Sequence, residues 1–537
     1  MSAPSQGTKG STNVGASVAK LSFISIFLLG INGIIGSGTF LLPQEIYEDA
    51  GFLLGMGVIL FAGIATTLIA FCYADLSGKF SGGGGAWLYS YTAFGKFTGF
   101  QVGFFMWFSG IVSIAAEVAA LIRIFRNVIP ALKSDVLSII CGTVLIVLLG
   151  LINWFGMKSV KWVSNLSSAT KIGAALFFVV VGVFFMKWAN LGPVSAAHGG
   201  SVVEQFSTTY AIVFYMFTGF SFLPIAARKM KNPQKNLPRA LISIMLSVTA
   251  IYLLVQFVVV GNLGTETAKS TIPVAEAMLK SVGEWGYYII IVGSAVSVFG
   301  VAFTSAFEVP VIASTLADEH NLLPPIFAKN NKFGAPFVSI ILTVVVSAAL
   351  LWTGSYVFLA TCMVCANFIQ YVPTILAVVK LRKMPSAPGA MSLKGARAWV
   401  VAGLALVSSL YVLTGFNWKV IAVAAAVFVI ATVVYFWDEA SRKKRGLTLG
   451  SSTGEATKVA VASAIAGTVP AVAPASGSAT ATSAATSAPG TTGAATTATT
   501  ASVPGPTMPV VDGAAMHAVS AGASHVSQTL ATSATKS

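Results

Sequence analysis

The chain has 537 residues, 55% of them hydrophobic and only 9% charged, with a mean hydropathy of +0.83 and a formal net charge of +15. Soluble domains carry about 25% charged residues, so this composition excludes a water-soluble protein over most of the length. It also argues against a nucleic-acid partner, because the 32 Lys and Arg are spread over many short segments rather than gathered on one face.

Residues 1–20 are polar and rich in Gly and Ser, and read as a disordered leader. The apolar run that starts near Leu21 follows this polar stretch and is broken inside, so a cleaved signal peptide is not expected. From 21 to 440 the sequence predicts one all-α integral membrane domain of about twelve helices: 21–42, 51–75, 97–122, 134–154, 162–187, 205–227, 239–262, 285–315, 337–353, 355–380, 398–415 and 417–437. About 20 apolar residues cross about 30 Å of hydrocarbon as a helix, and runs such as 52–74, 100–122 and 239–262 supply them. Thr353-Gly354 and Gly415-Phe416 leave only tight turns between the last two pairs of spans.

The first span carries GINGIIGSGTFLLP from Gly30 to Pro43, with glycines at 30, 33, 36 and 38. Hydrocarbon offers no water to free backbone groups, so a broken helix persists there only where it lines a cavity. Ile35, Gly36, Ser37 and Gly38 are therefore candidates to cradle a carboxylate through main-chain amides and the positive end of the following half-helix. Small-residue helix packing is the alternative, but this density of glycines before a proline exceeds what packing requires. Asp75, at the end of the second span, reads as an interface residue, and Gly82–Gly85 as a turn rather than a phosphate loop.

Glu117 lies inside the third span, where it either pairs with Arg123 or faces a cavity; Arg126 follows on the same helix. Lys171 sits roughly 15 Å into the fifth span, counted from Lys161 at 1.5 Å per residue. An intramembrane charge is expensive and marks function by default. Desolvation disfavours a charged form, so a buried lysine can act as a proton switch; the alternative is snorkelling to the interface. The sixth span is broken again, at Tyr215-Met-Phe-Thr-Gly-Phe-Ser-Phe-Leu-Pro224. Phe217, Thr218, Gly219, Phe220 and Ser221 are predicted to bound the cavity, against the alternative of ordinary aromatic packing. Glu308, mid-depth in the eighth span, is a second acid that can take a proton or a cationic group, or pair with Lys171. Cys362-Met-Val-Cys365 has metal or redox spacing, but no second pair or histidine accompanies it, so inert membrane cysteines are expected, and no metal site. Residues 446–537 are a low-complexity run of Ala, Thr, Ser, Gly, Val and Pro, expected to be a disordered cytoplasmic tail in which His517 and His525 are solvated.

Taking loops alternately, the N-terminal segment, the even-numbered loops and the flank after the last span hold 22 Lys and Arg, and the odd-numbered loops 7. The positive-inside rule then places both termini in the cytoplasm. If 21–187 and 205–380 are copies of one five-helix unit, the odd number inserts them in opposite orientations, with 398–437 appended. No GxxxxGK[ST] motif is present, and no HExxH or GxSxG pattern points to an intramembrane hydrolase. The chain is therefore read as not an enzyme, and no cofactor is expected.

Three stretches carry a resemblance: GIIGSGTFLLP, FTGFSFLPIAARKMKNPQKNLPRA and LADEHNLLPPIFAKNNKFGAP. They resemble the first span, the sixth span with its basic loop, and the loop after the eighth span of the amino acid–polyamine–organocation transporter superfamily, over about residues 20–440. The resemblance implies a leucine-transporter-type fold of two inverted five-helix repeats with discontinuous helices 1 and 6. It implies main-chain recognition of an amino acid at both breaks, with Tyr215 at an aromatic gate position. Lys171 matches a fifth-span lysine that stands in place of a sodium ion in some proton-coupled members, so a coupling proton is expected rather than sodium. Where many relatives carry Glu, two residues after the sixth-span glycine, this chain has Ser221, which argues against a cationic group being read there.

The resulting expectation is a proton-coupled amino acid importer of the cytoplasmic membrane. The substrate carboxylate would meet Gly36, Ser37 and Gly38, and its ammonium the carbonyls near Ile35 and Phe217. Lys171, with Glu117 and Glu308 in support, would handle the proton. An amino acid/amine exchanger is the second reading, separated by a requirement for internal counter-substrate. A non-transporting amino acid sensor is the third, disfavoured by the scarcity of charged docking motifs in the tail. The sequence does not reveal the oligomeric state.

Overall fold

The computed structural model describes residues 21–444 except 81–84, 157–159, 193–200, 319–320 and 354. The leader, the tail with His517 and His525, and Gly82–Gly84 lie outside the described residues. Within them the regular structure is helical: α1 (Phe23–Ile34), α2 (Gly38–Leu41), α3 (Pro43–Ser77), α4 (Ala86–Phe94), α5 (Lys96–Arg126), α6 (Asp135–Trp154), α7 (Val160–Val183) and α8 (Val202–Met216). They are followed by α9 (Pro233–Leu263), α10 (Pro273–Val282), α11 (Glu284–Asp318), α12 (Phe337–Leu351), α13 (Tyr356–Lys380), α14 (Ala396–Tyr411) and α15 (Trp418–Lys444). Among the described residues ten helices are long and apolar enough to cross a membrane, and the shorter apolar α1 and α12 account for the remaining two predicted spans.

Both predicted breaks are present. α1 stops at Ile34, Ile35 turns extended (φ −74°, ψ 101°), and helix resumes at Gly38. The first span then runs beyond the predicted residue 42. Pro43 sits at a helix start, where its missing N–H costs nothing, and the chain turns only at Gly51, whose φ of 67° and ψ of −164° interrupt α3. α8 stops at Met216, and after Gly219 (φ 104°) the chain continues as a 3-10 helix, Phe220–Lys229, with Pro224 inside. Two helices were not anticipated, α4 and α10. At 9 and 10 residues they are too short to span a bilayer, and the span pattern does not reveal them.

α5 is the central pillar: 94% of its apolar window is buried, against 17% for α15 and 28% for α6. It packs on α11 and α13, while α3 runs along α9 and α8, and α7 along α11. The outer helices turn Val144, Leu148, Leu151, Val429 and Val433 outward. Such a continuous apolar surface is stable against lipid and not against water.

Asp75, expected at the interface, is not exposed there. It is fully buried at the end of α3, where it binds Lys79 Nζ at 2.6 Å and accepts the Leu393 amide at 2.7 Å. The segment after α13 closes over this end, with the Ala387 amide also donating to Gly78 O (3.0 Å). The sequence hides this because the partner lies 318 residues away. Asp75→Ala strands the buried Lys79 ammonium and is expected to cost about 3–5 kcal/mol. A lowered melting temperature in detergent, partly restored by adding Lys79→Met, checks it.

Candidate functional site

The two breaks face each other. A Cβ on Gly219 would run into Gly33 O, and the positive φ there suits glycine alone. Tyr252 of α9 stands across the gap, buried, and donates its hydroxyl to Met216 O (2.7 Å) and Ile34 O (3.3 Å). The same tyrosine thus caps the last carbonyls of both broken helices. Unwinding frees carbonyls on one side of the α1 gap and amides on the other, and the fold answers each with a side chain from a distant helix.

On the carbonyl side the answer is Lys171. It is fully buried in α7, and its ammonium donates to Ile35 O at 2.6 Å and Asn32 O at 3.0 Å. This contact with α1 replaces the snorkelling reading. Asn32 is fixed in turn by its Nδ2 on Ser164 Oγ (2.9 Å), also from α7. On the amide side stands Glu117. Its carboxylate accepts from Ser37 N (3.2 and 3.4 Å), Ser37 Oγ (3.1 Å) and Tyr215 OH (3.2 Å). A Cβ on Gly36 would lie 2.5 Å from Glu117 Oε1, so the absence of a side chain there is what admits the carboxylate.

The alternative partner for Glu117 is thereby corrected. Arg123 points elsewhere, to Thr271 O (3.1 Å), Glu45 (3.4 Å) and Gln44. Six residues turn a helix by about 600°, a net 240°, so the two side chains leave on different faces. Arg126 binds Asp135 at 2.7 Å and Ser138 Oγ at 3.0 Å.

Above the α1 gap the tyrosines close ranks. Tyr356, at the start of α13, donates to Ser37 Oγ at 2.9 Å. Tyr215 lies 3.2 Å from the same oxygen, and the two rings meet edge to face with centroids 6.1 Å apart. Tyr215 therefore lies against the break. Sequence reasoning missed Tyr356, Tyr252 and Asn32. Asn32 offered a signal, being polar inside GINGIIGSG; the two tyrosines offered none.

Beside the breaks is a cavity of about 60 Å³ whose walls include Asn32, Gly33, Ser113, Gly219, Thr304 and Glu308. Asn32 Oδ1 is buried with no hydrogen-bond partner. Of the sixth-span residues, Gly219 reaches this wall, as does Phe222, which was not anticipated. Phe217 packs on Tyr252 (centroids 5.1 Å), and Phe220 stacks on Tyr371 (5.4 Å) and meets Tyr73 edge-on (5.5 Å). Thr218 Oγ1 returns to Tyr215 O at 2.7 Å, and Ser221 is fully buried. Cys362 and Cys365 are buried free thiols on α13. Among the described residues no group of three or more His, Cys, Asp or Glu is placed to hold a metal.

Twelve apolar helices around two facing, polar-lined breaks define a polytopic membrane transporter. The amino acid permease family profile matches residues 21–444, and the chain belongs to that family. It is 29% identical over 398 residues to an uncharacterized transporter of Mycobacterium tuberculosis, covering 69% of this chain and 81% of that one. It is 27% identical to the methylthioribose transporter of Bacillus subtilis, covering 68% and 81%. With the chloroplastic cationic amino acid transporter 9 of Arabidopsis thaliana it shares 30% identity, over 51% of this chain and 50% of the other. Transporters of this kind are not enzymes.

Proposed function

We propose that the chain imports an amino acid together with a proton across the cytoplasmic membrane, by alternating access, with both termini in the cytoplasm. One observation carries the reading. The α1 break presents free amide on one side and free carbonyl on the other, and each is matched to a charged group of the appropriate sign: Glu117 on the Ser37 amide, Lys171 on Ile35 O. A receptor with these two poles is chemically a receptor for a zwitterion, whose carboxylate and ammonium are close together. The cationic amino acid transporters among the relatives support an amino acid, and the excess of basic residues in the even-numbered loops supports the orientation.

Lys171 is the proton site. As an ammonium it holds the two halves of the break through Asn32 O and Ile35 O. As a neutral amine it holds them more weakly, because charge-assisted hydrogen bonds are about twice as strong as neutral ones. Proton exchange at this nitrogen therefore changes how firmly α1 is fastened to α7. Opening and closing are then coupled to the proton.

A thermal-shift screen of the purified protein against the common L-amino acids, polyamines and methylthioribose is expected to select amino acids. Proteoliposomes with an imposed pH difference, acidic outside, are then expected to accumulate the hit without internal substrate. Stabilisation by methylthioribose or polyamines alone would overturn the substrate class. Uptake that requires counter-substrate inside, and ignores pH, would establish exchange instead.

A further inference from the structure

We propose that Glu117 is a tethered occupant of the position that receives the substrate's carboxylate, and that an incoming amino acid must displace it. The proposal rests on the amino acid reading above. The Ser37 amide and hydroxyl and the Tyr215 hydroxyl are all donors, and all three converge on this one carboxylate, within 3.1–3.4 Å. It is 4% exposed and lies against the bare backbone of Gly36. A free α-carboxylate presents the same planar pair of oxygens, so it fits the same donors. The two cannot be held together: like charges in a buried site repel strongly, and each donor hydrogen serves one acceptor well.

Tethering has a mechanical consequence. The donors that hold Glu117 come from the α1–α2 gap and from α8, and Tyr356 of α13 closes on the same Ser37 oxygen. With the carboxylate of α5 in place, these elements are fastened around the empty site. An amino acid that takes over the Ser37 donors frees α5 from them. A ligand without a carboxylate offers these donors at most a neutral acceptor, which competes poorly with the charged Glu117 and leaves it where it is. The remaining charge at the break, Lys171, faces the opposite pole at Ile35 O and Asn32 O and stays available to balance the arriving anion. The device thus selects for carboxylate-bearing substrates and keeps the empty transporter closed.

The test uses the full chain in detergent or nanodiscs. Binding of the twenty common L-amino acids is measured for wild type, Glu117→Ala and the isosteric Glu117→Gln. For each amino acid that binds, its α-carboxamide and its decarboxylated amine are measured as well. Removing the competitor is expected to tighten amino acid binding roughly tenfold in Glu117→Ala and less in Glu117→Gln. Affinity for the carboxamide and the amine is expected to be unchanged. Glu117→Gln keeps the volume and hydrogen-bonding shape, so it reports even if the alanine variant folds poorly. Amino acids binding more weakly to both variants would overturn the proposal, because Glu117 would then be a ligand of the substrate. Equal tightening for amino acid, carboxamide and amine would also overturn it, since it would show general loosening. If amino acids bind none of the three proteins, the substrate reading itself fails, an outcome distinct from either of these.

Discussion

Lys171→Ala and Lys171→Gln are expected to abolish proton-driven accumulation while leaving substrate binding and exchange. A one-proton symporter can sustain about a tenfold concentration ratio per pH unit, since one unit is about 1.4 kcal/mol. Wild type should approach that ratio with an acidic exterior, and both variants should settle near one. The two substitutions separate charge from packing. Alanine leaves Ile35 O and Asn32 O buried without their donor, about 1–3 kcal/mol for each orphaned group, so a lower melting temperature accompanies the lost coupling. Glutamine returns an N–H to one carbonyl but carries no proton to exchange, so it should be the more stable variant and equally uncoupled. Accumulation at the wild-type ratio in either variant would remove Lys171 from the coupling mechanism.

Gly219→Ala is expected to bring transport down to background. Its φ of 104° lies where an L-residue is strained, at about 1–3 kcal/mol. The obstruction is also backbone: the added Cβ would collide with Gly33 O, which cannot rotate aside as a side chain can. The two broken helices would have to separate, and the carbonyls capped by Tyr252 would move with them. Gly57→Ala is the matched control, because nothing lies within 4 Å of a Cβ there; its transport and melting temperature should stay at wild-type values. Uptake by Gly219→Ala at the wild-type rate would show that close contact of the breaks is dispensable.

These expectations show how unevenly the sequence spoke. The breaks at Gly33–Gly38 and at Gly219 were legible because interrupted helix is so costly in hydrocarbon that only a cavity tolerates it. Lys171 was legible for the same reason, as a charge that needs a justification at that depth. Its partners were not, since Asn32 O and Ile35 O are main-chain atoms more than 130 residues away in sequence. For Glu117 the sequence left two directions open, and a local partner, Arg123, was as near as any. Rotation about α5 and the folding of α1 against it decided the matter. Phe217 and Phe220 illustrate the converse: aromatic residues beside a break look like cavity walls, and here the rings pack on Tyr252, Tyr371 and Tyr73.

Composition and periodicity by themselves determined that this chain is a bundle of about twelve membrane helices with gaps in the first and sixth, because solvent imposes those features one segment at a time. Only the tertiary structure decided what fills the gaps. Opposite charges from α5 and α7 end up on the two poles of one three-residue break, and Asp75, which reads in the sequence as an interface residue, is sealed under a segment more than 300 residues downstream. Such pairings depend on which face of each helix turns inward, and that is set by packing among all the helices together rather than by any one of them.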